Sequence, residues 1–97
     1  LTDGIVRARY RETLERPKLI EPGRVYGYTI DVWSVSIVFK KGHTIRLEVS
    51  SSNFPRFDRN MNTGRPVAEE ETPSVAIQRI LHDRSHPSHV VLPLIPR

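Results

Sequence analysis

The chain has 97 residues and a formal charge of +4, which suits one domain and no more. Its 0 cysteines exclude a disulfide staple and a thiolate zinc site. Its apolar runs, such as Ile37-Val38-Phe39 and Val90-Val91-Leu92, fall far short of the roughly 18–20 residues of a membrane-spanning helix.

The charge is spread rather than gathered. Fifteen Lys and Arg alternate with 11 Asp and Glu, as in Arg11-Glu12 and Glu15-Arg16. Phosphate binding concentrates its cations on a stripe or patch, so neither nucleic acid nor a membrane is expected as partner. Twelve of the 15 cations are Arg, the residue suited to bidentate pairing at interfaces. No signal peptide is visible, which makes a cytoplasmic location the default expectation. The chain starts at Leu1 rather than Met and reads as a piece of something longer.

Five segments read as strands. Residues 5–10 place Val6, Ala8 and Tyr10 on one face and Arg7 and Arg9 on the other. Residues 25–33 follow the turn signals Arg16-Pro17 and Glu21-Pro22-Gly23, and set Tyr26, Tyr28, Ile30 and Val32 opposite Gly27, Thr29 and Asp31. Residues 33–40 either extend that strand or form a short helical turn before Lys41-Gly42. Residues 44–50 alternate cleanly, with Ile45, Leu47 and Val49 on the apolar side. Residues 74–82 alternate until Arg79 and Ile80 break the pattern. His86-Pro87 then predicts a hairpin loop leading into residues 88–94, which are apolar on both faces.

Residues 50–74 carry no period. Loops of that length are rare in compact domains and tend to be functional or docked. Phe54, Phe57 and Met61 within it are too large and apolar for a disordered composition.

These patterns predict an all-β chain with too few strands. A sandwich needs about seven or eight to cover both inner faces. Five would leave an apolar face and open edges. The missing strands are expected from an upstream segment or from another chain, a second copy included.

Chemistry-bearing constellations are sparse. His82, His86 and His89 have a spacing that could suggest a metal site, but Pro87 interrupts the helical geometry that would make them converge. A network of turn hydrogen bonds is the preferred reading, and His43 reads as a turn histidine. No G-x-S-x-G elbow surrounds any serine. His82, Asp83 and Ser85 are neighbours on a turn, and a Ser-His-Asp triad works by spatial convergence rather than adjacency. Glu69-Glu70-Glu71 reads as a solvated loop. No Gly-rich phosphate loop occurs, and no cofactor or metal is expected.

The segment Asn53-Phe54-Pro55-Arg56-Phe57-Asp58-Arg59-Asn60 is the most informative. Its interleaved aromatics and arginines fit three roles: stacking on single-stranded nucleic acid, a docking loop rich in hot-spot residues, or phenylalanines capping the core beside a local Asp58–Arg pair. Phe54, Arg56, Phe57, Asp58, Arg59 and Asn60 are the candidate domain-interface residues. No catalytic residue is assigned.

Five stretches carry a family pattern in order. They are Asp3-Gly4-Ile5-Val6-Arg7-Ala8-Arg9-Tyr10-Arg11, Pro22-Gly23-Arg24-Val25-Tyr26, Val38-Phe39-Lys40-Lys41-Gly42-His43-Thr44-Ile45-Arg46-Leu47, the segment from Ser51 through Asn60, and His82-Asp83 to His86-Pro87-Ser88. Together they resemble the C-terminal, non-catalytic domain shared by X-Pro dipeptidyl-peptidases and cocaine esterase-type (CocE/NonD) hydrolases. The resemblance implies a jelly-roll-type β-sandwich, of which residues 1–97 form the C-terminal portion. It also implies as partners the first half of that sandwich and an α/β-hydrolase domain holding the Ser-Asp-His triad. The chain itself would then be inactive and non-catalytic, supporting domain packing and the active-site surroundings of a hydrolase for ester, amide or X-Pro peptide bonds. The competing expectation is a stand-alone binding module for carbohydrate or protein, with Tyr26, Tyr28 and Trp33 as stacking platforms.

Overall fold

A computed structural model describes residues 1–96. The chain divides into two units, Leu1–Ile45 and the remainder from Arg46 onward.

In the first unit the start of the chain lies against residues 30–32. The Thr2 hydroxyl donates to the Val32 carbonyl. A Cβ on Gly4 would collide with the Asp31 carbonyl and lie 2.9 Å from Ile30 Cγ2, so only glycine permits this approach. Residues 5–10 end in a 3₁₀ turn, Ala8–Tyr10, closed by the Tyr10 amide on the Arg7 carbonyl at 2.8 Å. The Lys18 amide then donates to the Arg9 carbonyl at 2.7 Å and closes the loop between them.

Turn chemistry appears where the sequence predicts it. The Arg24 amide reaches the Glu21 carbonyl at 3.2 Å, and Gly23 has φ +80. Proline second and a positive-φ glycine third is the type II arrangement. The His43 amide closes on the Lys40 carbonyl at 3.1 Å with Gly42 at φ +84.

In the second unit the Phe57 amide donates to the Asn53 carbonyl at 3.0 Å, and the Phe54–Pro55 peptide is cis. The next loop is clasped at its base. The Ser74 amide donates to the Met61 carbonyl at 2.9 Å, and the Asn62 side-chain amide to the Ser74 carbonyl at 3.0 Å. A 3₁₀ turn, Val67–Glu69, follows Pro66 inside it. Farther on, His82 and Pro87 form an antiparallel bridge.

The all-β, jelly-roll-type sandwich expected from the sequence is not present. Among the described residues that single bridge is the whole of the strand pairing, and no sheet forms. The hairpin predicted across His86-Pro87 is reduced to this one contact. Residues 25–40 do not continue as one strand, because Trp33 takes φ +65 and its amide turns onto Asp31 Oδ1 at 2.8 Å.

The physical reason lies in partners. An alternating segment chooses a face, but the face is stabilised only by a ladder neighbour and a covering layer. Here the apolar faces remain open. Ile45, Leu47 and Val49 are all exposed, Val75 is 97% exposed and Ile77 89%. No described residue is fully buried. The chain presents 9796 Å² of accessible surface, where a folded monomer of 11.2 kDa presents roughly 5,700 Å². Apart from the approach of the chain start to residues 30–32, what orders the chain is local: turns, clasps and side-chain staples.

Candidate functional site

The predicted interface loop is built from its own ring contacts. The Arg59 guanidinium lies 4.9 Å from the Phe54 ring centroid, and that of Arg56 lies 5.6 Å from the Phe57 ring. Phe57 is half-buried, whereas Phe54, Arg56, Asp58 and Arg59 are exposed. Asn60 Oδ1 accepts from the Asn62 amide at 3.1 Å and ties the end of the loop to the clasp that follows. An exposed cation–π pair contributes about 0.5–1 kcal/mol, so the two pairs bias the loop's shape without locking it. Of the six predicted residues in this segment, five are exposed and Phe57 is half-buried. A nucleobase stacking there would have to displace guanidinium groups already against the rings.

His86 and His89 make turn contacts. Asp83 Oδ1 accepts from the Ser85 amide at 2.8 Å and the His86 amide at 2.9 Å. His86 Nδ1 lies 3.1 and 3.2 Å from the two Asp83 oxygens. The His86 side chain, followed by the Ser85 amide, holds the Asp83 carboxyl below its ordinary value. His89 Nδ1 lies 2.7 Å from the Pro87 carbonyl. Asp83 thus serves the turn and pairs with His86 rather than His82, so the triad-like spelling makes no triad. No group of three His, Cys, Asp or Glu among the described residues is placed to hold a metal ion.

The aromatic platform of the competing reading is partly occupied. The guanidinium groups of Arg11 and Arg24 lie 4.7 and 5.1 Å from the Tyr26 ring centroid. Its hydroxyl accepts from the Glu21 amide at 3.1 Å. Tyr28 stands 6.5 Å from it, centroid to centroid, tilted by 31°. Trp33 is 80% exposed.

Two residues that matter locally had no sequence signal. Arg11 is only 10% exposed, and its Nη1 donates to the Ala8 carbonyl at 2.9 Å and to the Lys18 carbonyl at 2.5 Å. In the Glu69-Glu70-Glu71 run the outer two are exposed as a solvated loop should be. The Glu70 side chain is the exception at 4% exposed, and its Oε2 has no hydrogen-bond partner. A helix-like i, i+3 pattern or an aromatic neighbour would have flagged it; neither exists.

Comparison with known proteins covers nearly the whole chain. Residues 1–91 match the family described as X-Pro dipeptidyl-peptidase C-terminal non-catalytic domain. "Cocaine esterase" of Rhodococcus sp. (strain MB1 Bresler) is 54% identical over 99 aligned residues, covering 100% of this chain. The chain spans 17% of that relative's length. No solved structure matches.

Proposed function

Because the chain belongs to the family of X-Pro dipeptidyl-peptidase C-terminal non-catalytic domains, we propose that it acts as the accessory, non-catalytic region of a serine hydrolase. The parent activity in this reading is hydrolysis of an ester, amide or X-Pro peptide bond, with the triad on an α/β-hydrolase domain. The chain's part is to pack on that domain and shape the surroundings of its active site.

One observation carries the reading: the apolar side chains are uncovered. Val75, Ile77, Leu94 and Ile95 all stand in solvent. Each buried aliphatic side chain of this size contributes about 1.5–3 kcal/mol once removed from water. Such a surface is stabilised by docking, and membership of a family of C-terminal non-catalytic domains supports a hydrolase domain as the docking partner. The loop from Phe54 to Asn60 is the proposed contact, since its Phe54 ring and both guanidinium groups are exposed.

The test is a graft. The matching region of the Rhodococcus esterase is replaced by this chain, and ester hydrolysis and thermal stability are compared with the parent and with a truncation lacking the region. The graft should keep a cooperative melt and most of the turnover, and the truncation should lose both. A graft no better than the truncation would overturn the reading.

A further inference from the structure

We propose that the loop between Asn62 and Ser74 is a receptor for an arginine side chain presented by a protein partner, with Glu70 as its anchor. The site is separate from the aromatic loop and does not depend on its role.

The loop is held as a unit. Its base is clasped by the paired contacts of Met61 and Asn62 with Ser74. The turn Val67–Glu69 shapes its far side, and the Glu70 amide reaches back to the Val67 carbonyl at 3.4 Å. Thr63, Arg65, Glu69, Glu70, Glu71 and Thr72 surround an open cavity.

Glu70 is what makes this more than an acidic surface. Its side chain is withdrawn from water, yet Oε2 has no donor. Its other oxygen meets Arg65 Nε at 3.4 Å, a long contact from a side chain that is 77% exposed. A buried carboxyl oxygen without a partner is costly, and the cavity beside it is the route by which a donor can arrive. Glu69 and Glu71, exposed on either side, supply attraction to a cation. The described residues provide no three-carboxylate group for a metal ion. A planar guanidinium fits the need better: it offers five N–H donors in a fixed fork. One edge can serve Glu70 Oε2 while the others reach threonine hydroxyls on the rim.

The probe is N-acetyl-arginine amide, titrated into the isotopically labelled full chain and into the esterase graft, followed by amide and side-chain NMR shifts. Saturable shifts confined to residues 62–74 are expected, with the neutral isostere N-acetyl-citrulline amide giving none. Glu70→Gln should weaken the binding by about tenfold, the loss of one hydrogen bond to a charged partner. Glu69→Gln, on the exposed rim, should weaken it less. Absence of saturable shifts in both proteins would overturn the proposal, whatever the variants do. Equal binding of N-acetyl-lysine amide would overturn the guanidinium assignment. Stronger shifts from calcium ions, or from free arginine with its own carboxylate, would replace a protein partner with a small cation or metabolite.

Discussion

Replacing Arg11 with alanine removes the staple of the first unit, and its size can be worked out from the contacts. The guanidinium donates to the Ala8 and Lys18 carbonyls and lies over Tyr26. Hydrogen bonds from a charged donor contribute about 1.5–3 kcal/mol each. The two carbonyls become accessible to water once the side chain is gone, which returns part of that. A net loss of about 2–3 kcal/mol remains, or about 30- to 150-fold in the equilibrium between closed and open loop.

The reporter is the Lys18 amide, which closes the same loop on the Arg9 carbonyl. Its hydrogen-exchange protection in the graft should fall by that factor in Arg11→Ala. Arg11→Lys keeps the charge but loses the fork, and should fall in between. Arg24→Ala is the control. Arg24 also lies against Tyr26, and its guanidinium makes an exposed ion pair with Glu21 at 3.2 Å. Such pairs contribute about 0–1 kcal/mol, so Lys18 protection should change by less than about fivefold. If Arg11→Ala leaves Lys18 protection unchanged, or Arg24→Ala matches it, the staple argument fails.

Other expectations follow from single contacts. The Asp83 carboxyl is held below its ordinary value of 3.8, so its contribution to the turn is complete above that value and is lost as the pH falls through the lower folded value. The amides of Ser85 and His86 should lose protection over that acidic window, and in Asp83→Ala at neutral pH as well; protection indifferent to both would refute the network. Gly4→Ala places a methyl against the Asp31 carbonyl and Ile30, so the chain start should detach from residues 30–32, seen as new Val32 and Ile30 shifts; an unperturbed spectrum would contradict the close approach. Phe57→Ala combined with Arg56→Ala in the graft should lower esterase turnover or melting temperature, whereas unchanged kinetics and stability would remove the loop from the interface.

What could be read from the sequence was what is decided within a few residues. Pro22-Gly23 and Lys41-Gly42 form the expected turns because a fixed proline φ and a positive glycine φ need no distant partner. The network at Asp83 and His86 forms for the same reason: an Asx side chain bonds to amides two and three residues on. The loop from Phe54 to Asn60 was legible as composition, and the structure adds its ring contacts. Arg11 and Glu70 were not legible. Their roles depend on Lys18, Tyr26 and Arg65, brought near by loop closure rather than by spacing.

The strands show the other side of that distinction. The alternation in residues 44–50 is as regular as a sequence can make it, yet Ile45, Leu47 and Val49 end exposed. Periodicity states which side chains prefer to leave water; it does not supply the surface they leave it for. That surface is a long-range property, stabilised only after the entropy of bringing distant segments together has been offset. The chain's local order therefore comes from arginine staples, aspartate turns and glycine bends, while its apolar side chains wait uncovered. Under the proposed function, such a chain gains most of its stability at the interface. Substitutions such as Val75→Ser or Ile77→Ser, nearly neutral to the chain as it stands, become destabilising only when the hydrolase domain is present. The difference between those two measurements is what the substituted side chain contributes to docking.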